Sequence, residues 1–96
     1  MSPTDKKKLN LLRIKLDKLD TDLLKLIKKR SNLVNEVLKV KVHKKEIIDQ
    51  KRIKFILKKI KKKSLQLKID PKITNRIWKS MIWSFIDYEK RNFKKN

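Results

Sequence analysis

Five arginines stand among 25 lysines in this chain, and one of them, Arg30, occupies a slot where the surrounding pattern calls for leucine. Leu9, Leu12, Leu16, Leu19, Leu23 and Leu26 alternate at three- and four-residue spacing, and Leu33, Val37 and Val40 resume the series. In heptad terms these are a and d positions, which face other protein rather than water. A guanidinium placed there is costly unless an anion compensates it. Lys41 lies eleven residues further on, so on a helix it shares a face with Arg30 to within roughly 20°. The two long side chains can converge on one small anion lying along the helix. Arg13, seventeen residues before Arg30, is about 25 Å away in axial rise. It reaches such an anion only from a crossing, symmetry-related helix; taken alone, it reads as a snorkelling residue at the edge of the seam. The chemistry on offer is recognition of an anion by fixed positive charge.

Other chemistries are thinly supplied. His43 is the only histidine, and its place in a polar link reads as a surface position. With one His and no Cys, thiolate nucleophiles, Cys/His catalysis and zinc sites are excluded. Ser31, Ser64, Ser80 and Ser84 have no histidine placed to activate them. The chain has no Gly, so a Gly-rich phosphate loop cannot be built. Any enzyme made from these residues works without a nucleophile, a metal or a histidine base.

Helices must position the cations. The a/d pattern predicts a first helix from about Thr4 or Asp5 to the low forties, its apolar series spanning roughly 46 Å. "HKKEIID" follows as a polar link. A second helix is predicted over about Ile48 to Lys62, with Ile53, Ile56, Leu57 and Ile60 inward, and "KKKSLQLKID" reads as a basic connector. Asp70 then reads as an N-cap with Pro71 at the first helical position, a strong start signal. The third helix carries Ile73, Ile77, Trp78, Met81, Ile82, Phe85, Ile86 and Phe93 at helical spacing. The expectation is an all-α fold of three helices, one very long and two shorter, in a single domain over residues 1–96. Two short helices cannot cover so long a first one, so the long helices are expected to cross-pack in an intertwined homodimer.

Composition agrees with this class. A chain lacking Gly can scarcely make the tight turns of an all-β fold, and without Cys it has no disulfides. No uncharged stretch approaches the ~20 residues of a membrane span, and "MSPTDKKKLN" lacks the apolar core of a signal peptide, so a cytoplasmic protein with no membrane partner is expected. The formal net charge of +20 invites a nucleic-acid reading. Lysine is nevertheless spread over nearly every polar face, as in a solvated surface drawn from biased residue usage, and no specific nucleic acid is expected as a partner. A basic nucleic-acid module would cluster its lysines and expose several aromatics; Trp78, Trp83 and Phe85 read instead as core or pocket wall. A structural coiled coil would have kept its heptads intact through position 30.

The stretch "LRIKLDKLDTDLLKLIKKRSNLVNEVLKVK" resembles the first helix of the all-helical chorismate mutases, in the spacing of Arg13, Asp20, Arg30 and Lys41. "IIDQKR" is similar to that family's Asp-x-x-Arg at the start of the second helix, giving Asp49 and Arg52. "MIWSFIDYE" places Glu89 where the family carries Gln or Glu. The resemblance covers nearly the whole chain.

It implies an intertwined homodimer with two active sites, each completed by Arg13 supplied in trans. It also implies a cofactor-free [3,3] rearrangement of chorismate, a dicarboxylate, to prephenate in aromatic amino-acid biosynthesis. Rate would come from holding the chair-like conformer and stabilising charge on the ether oxygen. Arg30 and Arg13 would clamp carboxylates, Lys41 and Glu89 would serve the ether oxygen, Arg52 would support the carboxylate cluster, and Asp49 would cap the second helix and offer its backbone to the ring hydroxyl. Ile53 stands where many members have a hydroxyl-binding Glu, and Phe85 where many have Ser. Apolar residues at these two places also resemble the isochorismate-pyruvate lyases, which share the fold and the cationic pocket, and that activity is the alternative.

Overall fold

Ser2 opens the first helix. Its Oγ accepts the backbone N–H of Asp5 at 3.1 Å and donates to the Asp5 carboxylate at 2.8 Å, satisfying one of the orphan amides of a helix start. Pro3 fills the first helical position, where no amide hydrogen is needed. The computed structural model of the protein, which describes residues 1–94, therefore begins α1 slightly earlier than expected and runs it over Pro3–Val40. The chain forms two compact units, Met1–Leu33 and Val34–Asn96. The first is the greater part of α1. No residue of α1 is buried, and its seam leucines stand open, with Leu16 57%, Leu23 54% and Leu26 58% exposed.

The second unit holds the core. After Val40 the chain enters a short 3-10 turn over Lys44–Ile47, organised by one carboxylate: Glu46 Oε1 accepts the amides of His43 at 2.8 Å and Val42 at 3.3 Å. The link expected to be polar is thus partly core, because the turn drives Ile47 inward until only 3% of it is exposed. Ile47, Ile53, Ile82 and Ile86 form the buried cluster, with Leu38, Ile48, Ile56, Leu57 and Phe93 packed around it.

The second helix, α2, runs Gln50–Gln66 behind Asp49, whose side chain accepts the Arg52 amide at 3.0 Å. It starts about two residues later than the predicted Ile48 and continues four beyond Lys62. Most of the basic connector is therefore helix. It ends in a Schellman turn: Ile69 N–H bonds Ser64 O at 2.9 Å and Lys68 N–H bonds Leu65 O at 3.2 Å. Lys68 takes φ 58°, the left-handed place usually filled by Gly.

The third helix, α3, covers Pro71–Asn92 with Asp70 as its cap, the carboxylate accepting Lys72 N–H at 2.9 Å. It packs along α2, and a buried hydroxyl pair ties the two: Ser64 Oγ lies 2.7 Å from Thr74 Oγ1. Each hydroxyl also has a carbonyl acceptor on its own helix, Ile60 O at 2.6 Å for Ser64 and Pro71 O at 3.4 Å for Thr74, and either can donate to the other. The inner face of α3 is narrower than the predicted stripe. Thr74, Ile82, Ile86 and Glu89 are buried, while Ile73, Ile77 and Trp83 are exposed; no element of this unit covers that flank. Trp83 is accordingly not core, and Phe93 caps the helix rather than continuing it. No strand occurs among the described residues, and no helix among them is long and apolar enough to cross a membrane.

Candidate active site

Glu89 follows Ile82 and Ile86 on the buried stripe of α3, at i+7 and i+3. A carboxylate carried inward by helical spacing needs a cation or several hydrogen bonds. Lys41 supplies the cation. It stands one residue beyond the end of α1, its amide bonded to Leu38 O at 3.3 Å, and its Nζ donates to Glu89 Oε1 at 2.9 Å. The side chains are 16% and 7% exposed. At that depth the interaction is not screened as a surface pair is, and its short charge-assisted geometry offsets the desolvation of both groups.

Three local devices hold this pair. The capped turn at Glu46 fixes the segment that follows Lys41. Tyr88, next to Glu89 on α3, donates its hydroxyl to Asn35 Oδ1 at 2.8 Å, pinning α3 to the last turns of α1. Asp49, as the cap of α2, sets where that helix begins. An open pocket of about 410 Å³ lies here, lined by Lys41, Glu46, Ile48, Asp49, Gln50 and Lys51. It offers one ammonium backed by a buried carboxylate, a second lysine, and polar atoms at a helix start.

Lys41 is common to two relationships: it contacts Glu89 and it lines the pocket with Asp49. Phe85 is half-buried, one turn before Glu89. Ile53 lies in the isoleucine core rather than in the pocket lining. Arg52 is exposed and places its guanidinium 5.4 Å from the ring of Phe55. Arg13 and Arg30 belong to the Met1–Leu33 unit, Arg13 exposed and Arg30 half-buried. His43 is exposed and contributes its backbone amide to the turn.

Glu46, Asn35 and Tyr88 were not singled out from sequence as site residues. Glu46 carried a readable signal, an acidic residue three positions after the start of a turn, the spacing of a capping box. The Tyr88–Asn35 bond joins residues 53 apart and has no local signature. Among the described residues no group of His, Asp or Glu is arranged to hold a metal ion.

A family model described as chorismate mutase type II matches residues 12–90, a stretch that contains Arg13, Arg30, Lys41, Asp49, Arg52 and Glu89. No curated protein and no solved structure gives a significant match to the chain.

Proposed function

The chain belongs to the type II chorismate mutase family, and from that premise we propose that it rearranges chorismate to prephenate as a homodimer whose pockets are centred on Lys41 and Glu89. The observation that carries this reading is the buried Lys41–Glu89 contact of 2.9 Å beside the pocket at the start of α2. The reaction is unimolecular, so the protein has to select one conformer and stabilise charge as it appears on the breaking ether.

Lys41 is suited to both tasks. Its ammonium donates to Glu89 in the empty pocket and is a charge-assisted donor suited to an ether oxygen and to a carboxylate. Glu89 holds the lysine in place when the pocket is empty. Arg30 supplies the planar fork that a carboxylate matches bidentately.

The open face of α1 supports the homodimer. A helix with no buried residue and an apolar seam interrupted only at Arg30 leaves a long row of leucines exposed. In the proposed dimer, pairing of two such helices covers the seams and Arg13 of the partner subunit serves the pocket.

A second reading has one observation in its favour. Ile53 lies in the core, so at the position where many mutases bind the ring hydroxyl this chain offers no side-chain hydrogen bond. That supports isochorismate-pyruvate lyase activity on the same cationic site. One assay separates the two: loss of chorismate absorbance with prephenate as product supports the mutase, and pyruvate with salicylate from isochorismate supports the lyase. Turnover of neither substrate by the purified dimer overturns both.

A further inference from the structure

The eight cations of α2 are accompanied by no acid. Its sequence, QKRIKFILKKIKKKSLQ, differs in this from α1, which intersperses Asp5, Asp17, Asp20, Asp22 and Glu36, and from α3, which carries Asp87 and Glu89. Biased residue usage acts on all three helices alike and does not by itself clear one of them of carboxylates.

Phe55 stands in the middle of this helix on the wrong side for a core residue. It is two positions from buried Ile53, roughly 200° around the helix, and 54% exposed. Around it at helical spacing are Lys51 and Arg52 one turn before, Lys58 and Lys59 one turn after, and Lys62 two turns after. Two of these lie against the ring, Arg52 at 5.4 Å and Lys59 at 5.8 Å from its centroid. The outward face of α2 is thus a phosphate-seeking field with one aromatic platform at its centre.

We infer that this face binds single-stranded nucleic acid without sequence preference, a base stacking on Phe55 while the phosphates of the strand follow the flanking lysines. A single strand offers both things the face is built to take, unpaired aromatic bases and a line of negative charge. A duplex keeps its base faces stacked and offers only the charge. An anionic membrane is a poorer fit, because a membrane-lying helix turns a broad apolar face to the lipid, and the apolar face of α2 (Ile53, Ile56, Leu57, Ile60) is turned toward the isoleucine core. The inference is independent of the rearrangement chemistry and needs neither Lys41 nor Glu89.

The test uses the full chain and a fluorescently labelled oligothymidylate, with binding followed by anisotropy across a range of salt. Binding is expected to weaken steeply with salt, and to weaken about tenfold in Phe55→Leu, the cost of losing one stacked base. Replacing Lys58, Lys59 and Lys62 together by Gln should reduce the slope of log affinity against log salt by about two. Replacing Lys6, Lys7 and Lys8 by Gln removes the same charge from α1 and should leave the slope nearly unchanged. Circular dichroism checks that each variant keeps its helices. An equal loss in the two triple variants overturns the inference, since the charge then acts as a diffuse field. So does inorganic polyphosphate that binds as tightly as the oligothymidylate with Phe55→Leu without effect. Binding to phosphatidylglycerol vesicles in the absence of any oligothymidylate binding also overturns it.

Discussion

Tyr88 reaches Asn35 across 2.8 Å, and the residue after it, Glu89, reaches Lys41 across 2.9 Å. Two successive residues of α3 therefore grip the last turns of α1 and the residue just past its end. The first contact is a neutral hydrogen bond, the second an ion pair. Tyr88→Phe removes only the former and leaves the Asn35 carbonyl to find another donor. The expected cost is about 1 kcal/mol of stability, read as a lower urea midpoint with an unchanged slope. Turnover should fall as well, since the register of the ion pair loosens.

Glu89 tests the ion pair. Lys41 is the cation that the structure places in direct contact with its carboxylate, at 2.9 Å. In the proposed rearrangement negative charge grows on the ether oxygen, which an amide N–H assists and a carboxylate oxygen does not. Glu89→Gln keeps the shape and an acceptor for Lys41 and adds a donor, so kcat/KM for chorismate should be at least that of the parent protein. Glu89→Ala removes both and should lower kcat/KM by about tenfold or more. An unchanged kcat/KM in Glu89→Ala would remove Glu89 from the chemistry and leave Lys41 as the donor.

Substitution at Arg30 tests the proposed carboxylate clamp against the general surface charge. Arg30→Lys keeps the charge and loses the planar fork, so kcat/KM should drop by about tenfold or more, equivalent to ~1.4 kcal/mol of transition-state binding. Lys62→Gln, on the outward face of α2, should leave turnover within about twofold. If both substitutions reduced turnover equally, a general field rather than a built site would be responsible.

Assembly is the most direct measurement. Light scattering should give about twice the chain mass of 11.7 kDa at micromolar protein, because the seam leucines of α1 stand exposed and pairing would bury them. A monomer under those conditions that still turned over chorismate would rule out Arg13 in trans.

Much of the fold was legible because helix starts are written locally. Asp70–Pro71 announced α3, and the leucine series, broken only at Arg30, announced α1. The end of α2 was hidden by the lysine run, which reads as connector although Ser64 within it is buried, and by the absence of glycine. A Schellman turn carried by Lys68 leaves no letter to read. Ile47 escaped because a single 3-10 turn is too short to show a period. Ile73, Ile77 and Trp83 share the apolar spacing of Ile82 and Ile86, yet α2 covers only the narrower strip. Of the candidate site, the resemblance pointed to the residues of the Lys41–Glu89 contact and to Asp49 as the cap of α2. The devices that hold them were not legible, since the contact of Tyr88 with Asn35 is created by folding. Arg52, expected to support the carboxylate cluster, places its guanidinium 5.4 Å from the ring of Phe55, an attraction between an exposed cation and a ring on its own helix.

The hydroxyl pair at Thr74 and the ion pair at Glu89 lie fifteen residues apart on α3, roughly 22 Å of helix. Between them Ile82 and Ile86 make apolar contacts, which have no preferred direction and would permit a small slide. With both ends held by directional bonds, this stretch behaves as a ruler cut to a fixed number of residues. Exchange of one side chain for another within it alters packing locally. Insertion or loss of a single residue turns one end by about 100° against the other, parting either Glu89 from Lys41 or Thr74 from Ser64. This segment of α3 can therefore vary in composition over descent far more freely than in length.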